Sequence, residues 1–215
     1  MIYYLLIKLF CEFEFSLSVN INDLANKRNI DIKILLIGDS QVGKTTLLLG
    51  YFQGVFTVNL ESHYQGINLF RKSASLDLSP HDPINYFINV WDVAGSENYI
   101  DFFSLITQPM DAIIILSNDK KRFNLEITVK KWTDIINKYV SSDFLTYLIV
   151  NGFDFQEMDE ELKDRLQNQY KISKQFILDI QNISQVNDTL DEIFSEIISL
   201  KHMSTFYQTS TLING

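Results

Sequence analysis

Ile32-Lys33-Ile34-Leu35-Leu36-Ile37-Gly38-Asp39-Ser40-Gln41-Val42-Gly43-Lys44-Thr45-Thr46 is an apolar run that ends in the P-loop pattern Gly-x-x-x-x-Gly-Lys-Ser/Thr. The run is interrupted only by Lys33 and reads as a buried parallel strand. Gly38 and Gly43 let the backbone curl, so that successive amides over Ser40, Gln41, Val42, Gly43, Lys44, Thr45 and Thr46 point inward at β-phosphate oxygens. The following helix adds its positive amino end. Lys44 supplies a mobile charge for the β- and γ-phosphates, and the Thr45 hydroxyl is placed to coordinate magnesium.

Working outward, short apolar runs alternate with helical patterns. Tyr86 to Trp91, Asp111 to Leu116, Phe144 to Val150 and Gln175 to Ile180 read as further strands of the same kind. Ile67 to Leu76 is longer and more polar, and a Ser-Pro-His-Asp-Pro turn over Ser79 to Pro83 joins it to Tyr86 as an antiparallel hairpin. Two helices carry clear apolar stripes, one through Trp132, Ile135, Ile136, Tyr139 and Val140, the other through Leu190, Ile193, Phe194, Ile197 and Ile198. Five parallel-type strands, one hairpin strand and covering helices describe a three-layer α/β domain with a mixed, mostly parallel six-stranded sheet. Ligands of such a sheet sit at the carboxyl ends of its strands.

Composition narrows the function. The chain has 215 residues, which favours one domain with extensions, and its 46% apolar content excludes disorder over most of the length. Its net charge of −9 leaves no global basic field for nucleic acid, so phosphate must be held by a local device. The single cysteine, Cys11, excludes an intramolecular disulfide and a multi-cysteine metal site, and the three histidines are scattered. Residues 1–30 stand apart as an N-terminal extension. Met1 to Phe10 is nearly all apolar but half the length a bilayer needs, about 20 residues. Glu12 to Ile21 alternates strictly, with Phe13, Phe15, Leu17, Val19 and Ile21 on one side, which is a strand period suited to packing on the domain or to a peripheral contact. The domain itself spans 31–200, and 201–215 is a short polar tail.

Two later stretches follow strands and complete a nucleotide site. In Trp91-Asp92-Val93-Ala94-Gly95-Ser96-Glu97, Asp92 stands where a second magnesium contact belongs, through water, and Gly95 offers its amide to a γ-phosphate. In Asn151-Gly152-Phe153-Asp154, the Asp154 carboxylate can accept from N1–H and the exocyclic amine of guanine, a pair that adenine lacks. The competing reading of that stretch is an Asn-Gly tight turn with Asp154 as a cap. It would leave an ATP-dependent P-loop kinase or ATPase open.

GDSQVGKT, WDVAGSE and NGFD, in that order on alternating strands, resemble the motifs of Ras-superfamily small GTPases, closest to the Rab branch, over about residues 30 to 200. They are also similar to fungal septum-promoting and mitotic-exit GTPases, which share the Gln-containing loop and a stretch like Gly66-Ile67-Asn68. The resemblance implies a P-loop NTPase fold of the small G-protein type, GTP/GDP and magnesium as ligands, and Asn151 beside Asp154 as base-binding residues. It implies a switch acting in cell-division or trafficking control, with an exchange factor, an activating protein and effectors as partners. It implies a cytoplasmic location, with the periphery of a membrane or spindle-pole structure left open.

The chain departs from the family at points that matter for turnover. The magnesium-closing threonine of the first switch loop is replaced in the run His63-Tyr64-Gln65-Gly66-Ile67, with Ser62 the nearest hydroxyl. The catalytic glutamine falls at Ser96, too short to orient water, so Lys44 is left as the remaining catalytic side chain. The lysine that packs beside guanine is Gly152, and no residue from Ile180 to Ser184 matches the family's last recognition loop. The sequence ends Thr211-Leu212-Ile213-Asn214-Gly215 without a cysteine, so no prenyl membrane anchor is expected. Two functions fit: a weak GTPase switch, or a catalytically impaired pseudo-GTPase that serves as a nucleotide-stabilised protein-binding module.

Overall fold

The computed structural model describes residues 28–55, 66–76, 84–94, 109–118, 122–140, 143–152 and 160–213. Strand β1 (Arg28–Ile37) leads into helix α1 (Lys44–Gln53), followed by β2 (Ile67–Leu76), β3 (Ile84–Val93), β4 (Ala112–Ser117), α2 (Arg122–Tyr139), β5 (Leu145–Asn151), α3 (Glu160–Asn168), β6 (Lys174–Leu178) and α4 (Ile183–Ile213). The strands form one sheet in the order β2-β3-β1-β4-β5-β6. Only β2 is antiparallel, paired with β3 from Ile67 opposite Val93 to Leu76 opposite Ile84. The expected hairpin is therefore present, while its turn at Ser79 to Pro83 lies outside the described residues, as does Glu12 to Ile21.

Successive side chains of a strand point to opposite faces, and in a sheet covered on both sides each face needs its own core. Ile32, Ile34 and Leu36 pack with Leu47 and Leu48 of α1 and with Val186, Leu190, Ile193, Phe194 and Ile197 of α4. Leu35 and Ile37 point the other way, toward Leu125, Val129, Trp132 and Ile136 of α2 and Leu162 and Leu166 of α3. Both helical stripes read from the sequence thus cover the sheet, and each fully buried aliphatic side chain contributes about 1.5–3 kcal/mol.

Two boundaries differ from the sequence reading. β1 begins at Arg28, inside the stretch assigned to the extension. α4 does not stop at 200 but runs on to Ile213. Beyond position 200 it is tied to the sheet, where Lys201 Nζ bonds Asp111 Oδ1 (2.6 Å) and Tyr86 OH lies 2.7 Å from His202 Nδ1. Among the described residues no helix is long and apolar enough to cross a membrane.

Candidate functional site

The loop between β1 and α1 emerges at the carboxyl edge of the parallel sheet. Gly38 has φ +150, and a Cβ there would collide with the carbonyl of Leu116 on β4. Gly43 has φ +102, and a Cβ there would meet the Ile180 side chain from the β6–α4 loop. Both glycines are therefore demanded by close neighbours as well as by the turn. Gln41 adopts φ +63, a left-handed conformation that costs a non-glycine residue on the order of 1 kcal/mol or more. Ser40 and Gln41 are exposed at the tip, while Val42 is buried in the core below it.

Lys44 and Thr45 open α1, with Gly43 at its N-cap, and Thr46 follows in the same turn. Lys44 is only 6% exposed. Its ammonium donates to the carbonyls of Gly38 (3.0 Å) and Asp39 (2.7 Å). Burial pushes its pKa down, opposed by the nearby charges of Asp92 and Asp39. The cation is folded over the loop at the place where phosphate oxygens would replace carbonyl oxygens as its partners.

Thr45 Oγ1 donates to Asp92 Oδ2 at 2.6 Å, joining the start of α1 to the end of β3. Asp92 is 2% exposed, and burial raises its pKa against the opposing effects of the Thr45 hydrogen bond, the Lys44 charge and the polar Asn68 side chain nearby. Its Oδ1 has no hydrogen-bond partner among the described residues. A buried carboxylate oxygen without a donor is costly unless something else meets it. A hydroxyl and a carboxylate are the hard oxygen donors that magnesium takes, so the residues present fit that ion.

Asn151 ends β5 on the other side of the loop. Its Oδ1 accepts from Ile180 N–H (3.2 Å), and its Nδ2 donates weakly to Val42 O (3.5 Å). One side chain thus links the phosphate loop to the turn before α4. Of the stretch Ile180 to Ser184, where the sequence matched no residue, Ile180 lies against the phosphate loop. Its role uses a backbone amide and a contact with Gly43, and a backbone amide leaves no mark in residue type.

Asp39 was read only as a member of the loop, yet its Oδ1 accepts from Lys131 Nζ (2.9 Å) and from the indole N–H of Trp132 (3.2 Å). Trp132 therefore serves the core stripe and also anchors the loop. Gly95, Ser96 and Asp154 lie outside the described residues, as do Ser62 and His63 to Gln65. The chain flanking both switch-like stretches is stitched together, with Ala94 N–H donating to Gly66 O at 3.0 Å.

A parallel strand, a glycine-bounded loop, a helix opening on Lys-Thr and an acid at the end of the neighbouring parallel strand define the P-loop nucleotide-binding class. A family model described as Roc (Ras of Complex), domain of DAPkinase, matches residues 33–154. The chain is 32% identical over 146 residues to the GTP-binding protein YPT1 of Saccharomyces cerevisiae, covering 67% of this chain and 63% of that protein. It is 28% identical over 108 residues to Septum-promoting GTP-binding protein 1 of Schizosaccharomyces pombe, half of this chain and 51% of the relative. To the Rho-related protein racE of Dictyostelium discoideum it is 24% identical over 183 residues, covering 79% and 76%. The aligned part thus spans about half the length of the septum-promoting relative and under two-thirds of YPT1. The chain belongs to the Ras superfamily of small GTPases, as a divergent member.

Proposed function

We propose that the chain is a magnesium-dependent guanine-nucleotide switch that hydrolyses GTP slowly and acts in signalling, in cell-division or trafficking control. The observation that carries the reading is the Thr45–Asp92 pair with its orphaned Oδ1, set beside a desolvated Lys44. Lys44 would trade two carbonyls for phosphate oxygens, and Thr45 and Asp92 would hold the metal, which neutralises phosphate charge when bound. Asn151 braces the base side of the loop, and Asp154 supplies the carboxylate for the guanine edge. Among its relatives, YPT1 and the septum-promoting protein are named as GTP-binding, which supports the choice of base.

Ser96 in place of a water-orienting amide keeps intrinsic turnover low. An activating protein would therefore carry hydrolysis, an arginine in trans being worth roughly 10³–10⁵ in rate. An exchange factor and effectors complete the cycle in a cytoplasmic setting. The same replacement favours a second reading, in which the nucleotide is retained and the domain presents one fixed surface to a partner.

Displacement of labelled GDP from purified protein tests the base assignment. GTP and GDP should compete and ATP should not, and Asp154→Asn should move preference toward xanthine nucleotides. Equal displacement by ATP overturns the guanine reading.

A further inference from the structure

Helix α2 buries Leu125, Val129, Trp132 and Ile136 against the sheet. Its outer side carries Ile127, Lys130, Lys131, Asp134 and Lys138, all exposed and spaced so that they line one stripe. Ile127, at 52% exposure, is the most exposed large apolar side chain among the described residues. Three lysines stand there against one aspartate, in a chain whose net charge is −9. Glu126, the other acid of the helix, turns away to Arg165 of α3 (3.0 Å). The local charge therefore has the opposite sign to that of the whole molecule.

The stripe joins the phosphate loop at one point. Lys131 Nζ bonds Asp39 Oδ1 at 2.9 Å and lies 5.3 Å from the centroid of the Trp132 ring. Asp39 Oδ1 also accepts from the Trp132 indole (3.2 Å), and the Asp39 carbonyl accepts from Lys44. Lys131 and Asp39 are 41% and 39% exposed, so water reaches both, and an ion pair so placed is weak. Another carboxylate can take the ammonium from Asp39 with little loss, while the partly buried indole bond stays.

We propose that this side of α2 docks an acidic amphipathic segment of a partner protein, with an apolar residue against Ile127 and a carboxylate that takes Lys131 from Asp39. Charge complementarity selects this occupant. An acidic segment is repelled by the molecule as a whole and attracted by this stripe, which orients its approach. Nucleic acid and anionic bilayers extend far beyond one helix face and meet the like charge of the rest of the molecule. A second copy of the chain would set this stripe against a different, acidic patch of its neighbour, a head-to-tail contact between molecules of like net charge that makes no two-fold dimer. The docking stands without nucleotide, and its effect on nucleotide release rests on the function proposed above.

The probe is a synthetic helical peptide with leucine at every third or fourth position and glutamate between, offered to the full-length protein. It should bind, bind about tenfold more weakly to Ile127→Ser and to Lys130→Glu, and weaken as salt is raised. The same peptide with lysine for glutamate should not bind. Departure of Lys131 from Asp39 is read on the assigned indole N–H resonance of Trp132. That resonance should shift when peptide binds the nucleotide-free protein, and in Lys131→Ala it should stand near the shifted position before peptide is added. Saturating peptide should also speed GDP release several-fold in the wild type and leave Lys131→Ala unchanged. A peptide-dependent shift in protein that binds no GDP would uphold the docking and overturn the nucleotide reading. Absence of binding, equal binding by Ile127→Ser and Lys130→Glu, tighter binding of the lysine peptide, of duplex DNA or of anionic vesicles, self-association through this stripe in sedimentation, or binding that leaves the Trp132 indole or the release of bound GDP unmoved would each overturn the proposal.

Discussion

The hydroxyl of Thr45 reaches across 47 positions of sequence to Oδ2 of Asp92 at 2.6 Å, and the second oxygen of that carboxylate is buried without a partner among the described residues. The pair holds the end of β3 against the start of α1 with a charge that burial disfavours. Without nucleotide and metal this arrangement works against stability, and under the proposed function it would be the metal's ligand set.

Asp92→Asn removes the buried charge and keeps an oxygen for Thr45. In chelator and without nucleotide the variant should be more stable by about 1–2 kcal/mol, a rise in Tm of about 2–8 °C, and it should lose the stabilisation that magnesium with GDP confers. The sign with pH follows from the raised Asp92 pKa. The folded chain binds that proton more tightly than the unfolded chain, so the contribution is fully present below pH ~4 and is lost as pH rises through the folded-state value. Wild-type stability relative to Asp92→Asn should therefore fall on raising pH from about 4, measured by thermal melts. A constant difference across that range would place the unfavourable burial elsewhere.

Asn151→Ala cuts the link between Val42 O and Ile180 N–H. The freed groups lie at the rim of the site, and each lost bond to a partly buried partner costs about 1–3 kcal/mol. GDP affinity should fall roughly 10- to 100-fold, by the same energy, with the apo melt lowered by only a few degrees. Equilibrium titration with labelled GDP checks it, and unchanged affinity would show that the loop holds its place without Asn151.

Asp39→Ala leaves the indole N–H of Trp132, a residue only 3% exposed, without its acceptor. It should destabilise the chain by about 1–2 kcal/mol in urea unfolding. Lys131→Ala removes the half-exposed ion pair with Asp39 and a cation–π contact 5.3 Å from the Trp132 ring centroid, keeps the indole bond, and should cost under about 1 kcal/mol. Equal effects of the two would mean that the ion pair, and not the indole bond, anchors the loop.

Ser96→Gln restores an amide at the position of the family's water-orienting residue. Wild-type turnover should not exceed the slow Ras-type rate, on the order of 10⁻⁴ per second. Under the switch reading the substitution raises single-turnover GTP hydrolysis several-fold, and under the scaffold reading it stays at background. Phosphate release from preloaded protein is the measurement, with Lys44→Ala as the blank. Fast unassisted hydrolysis by the wild type would show that another group orients the water.

The phosphate loop was legible because its chemistry demands residue types at fixed spacing: two glycines, one lysine, one hydroxyl. The strands around it were legible because a sheet covered on both faces needs unbroken apolar runs, as at Ile113 to Leu116 and Leu148 to Val150. The antiparallel β2 was legible from its length and polarity, and the two helical stripes from their spacing.

Sequence by itself thus determined the layers of this domain and the glycine-bounded loop after β1, and it singled out Lys44, Thr45, Asp92 and Asn151, which the fold gathers around that loop, because each follows from local pattern and from residue type at the end of a strand. Tertiary structure decided the rest. Just past position 200 the last helix stays on the sheet, where Lys201 finds Asp111 and His202 finds Tyr86, partners 90 and 116 positions away. Ile180 entered the site through a backbone amide, which any residue owns. Asp39 and Trp132 met because a helix packed for its apolar face happened to bring an indole N–H over the loop. Contacts between distant positions are set by how the layers stack, and a one-dimensional pattern carries no record of that stacking until the sheet has formed.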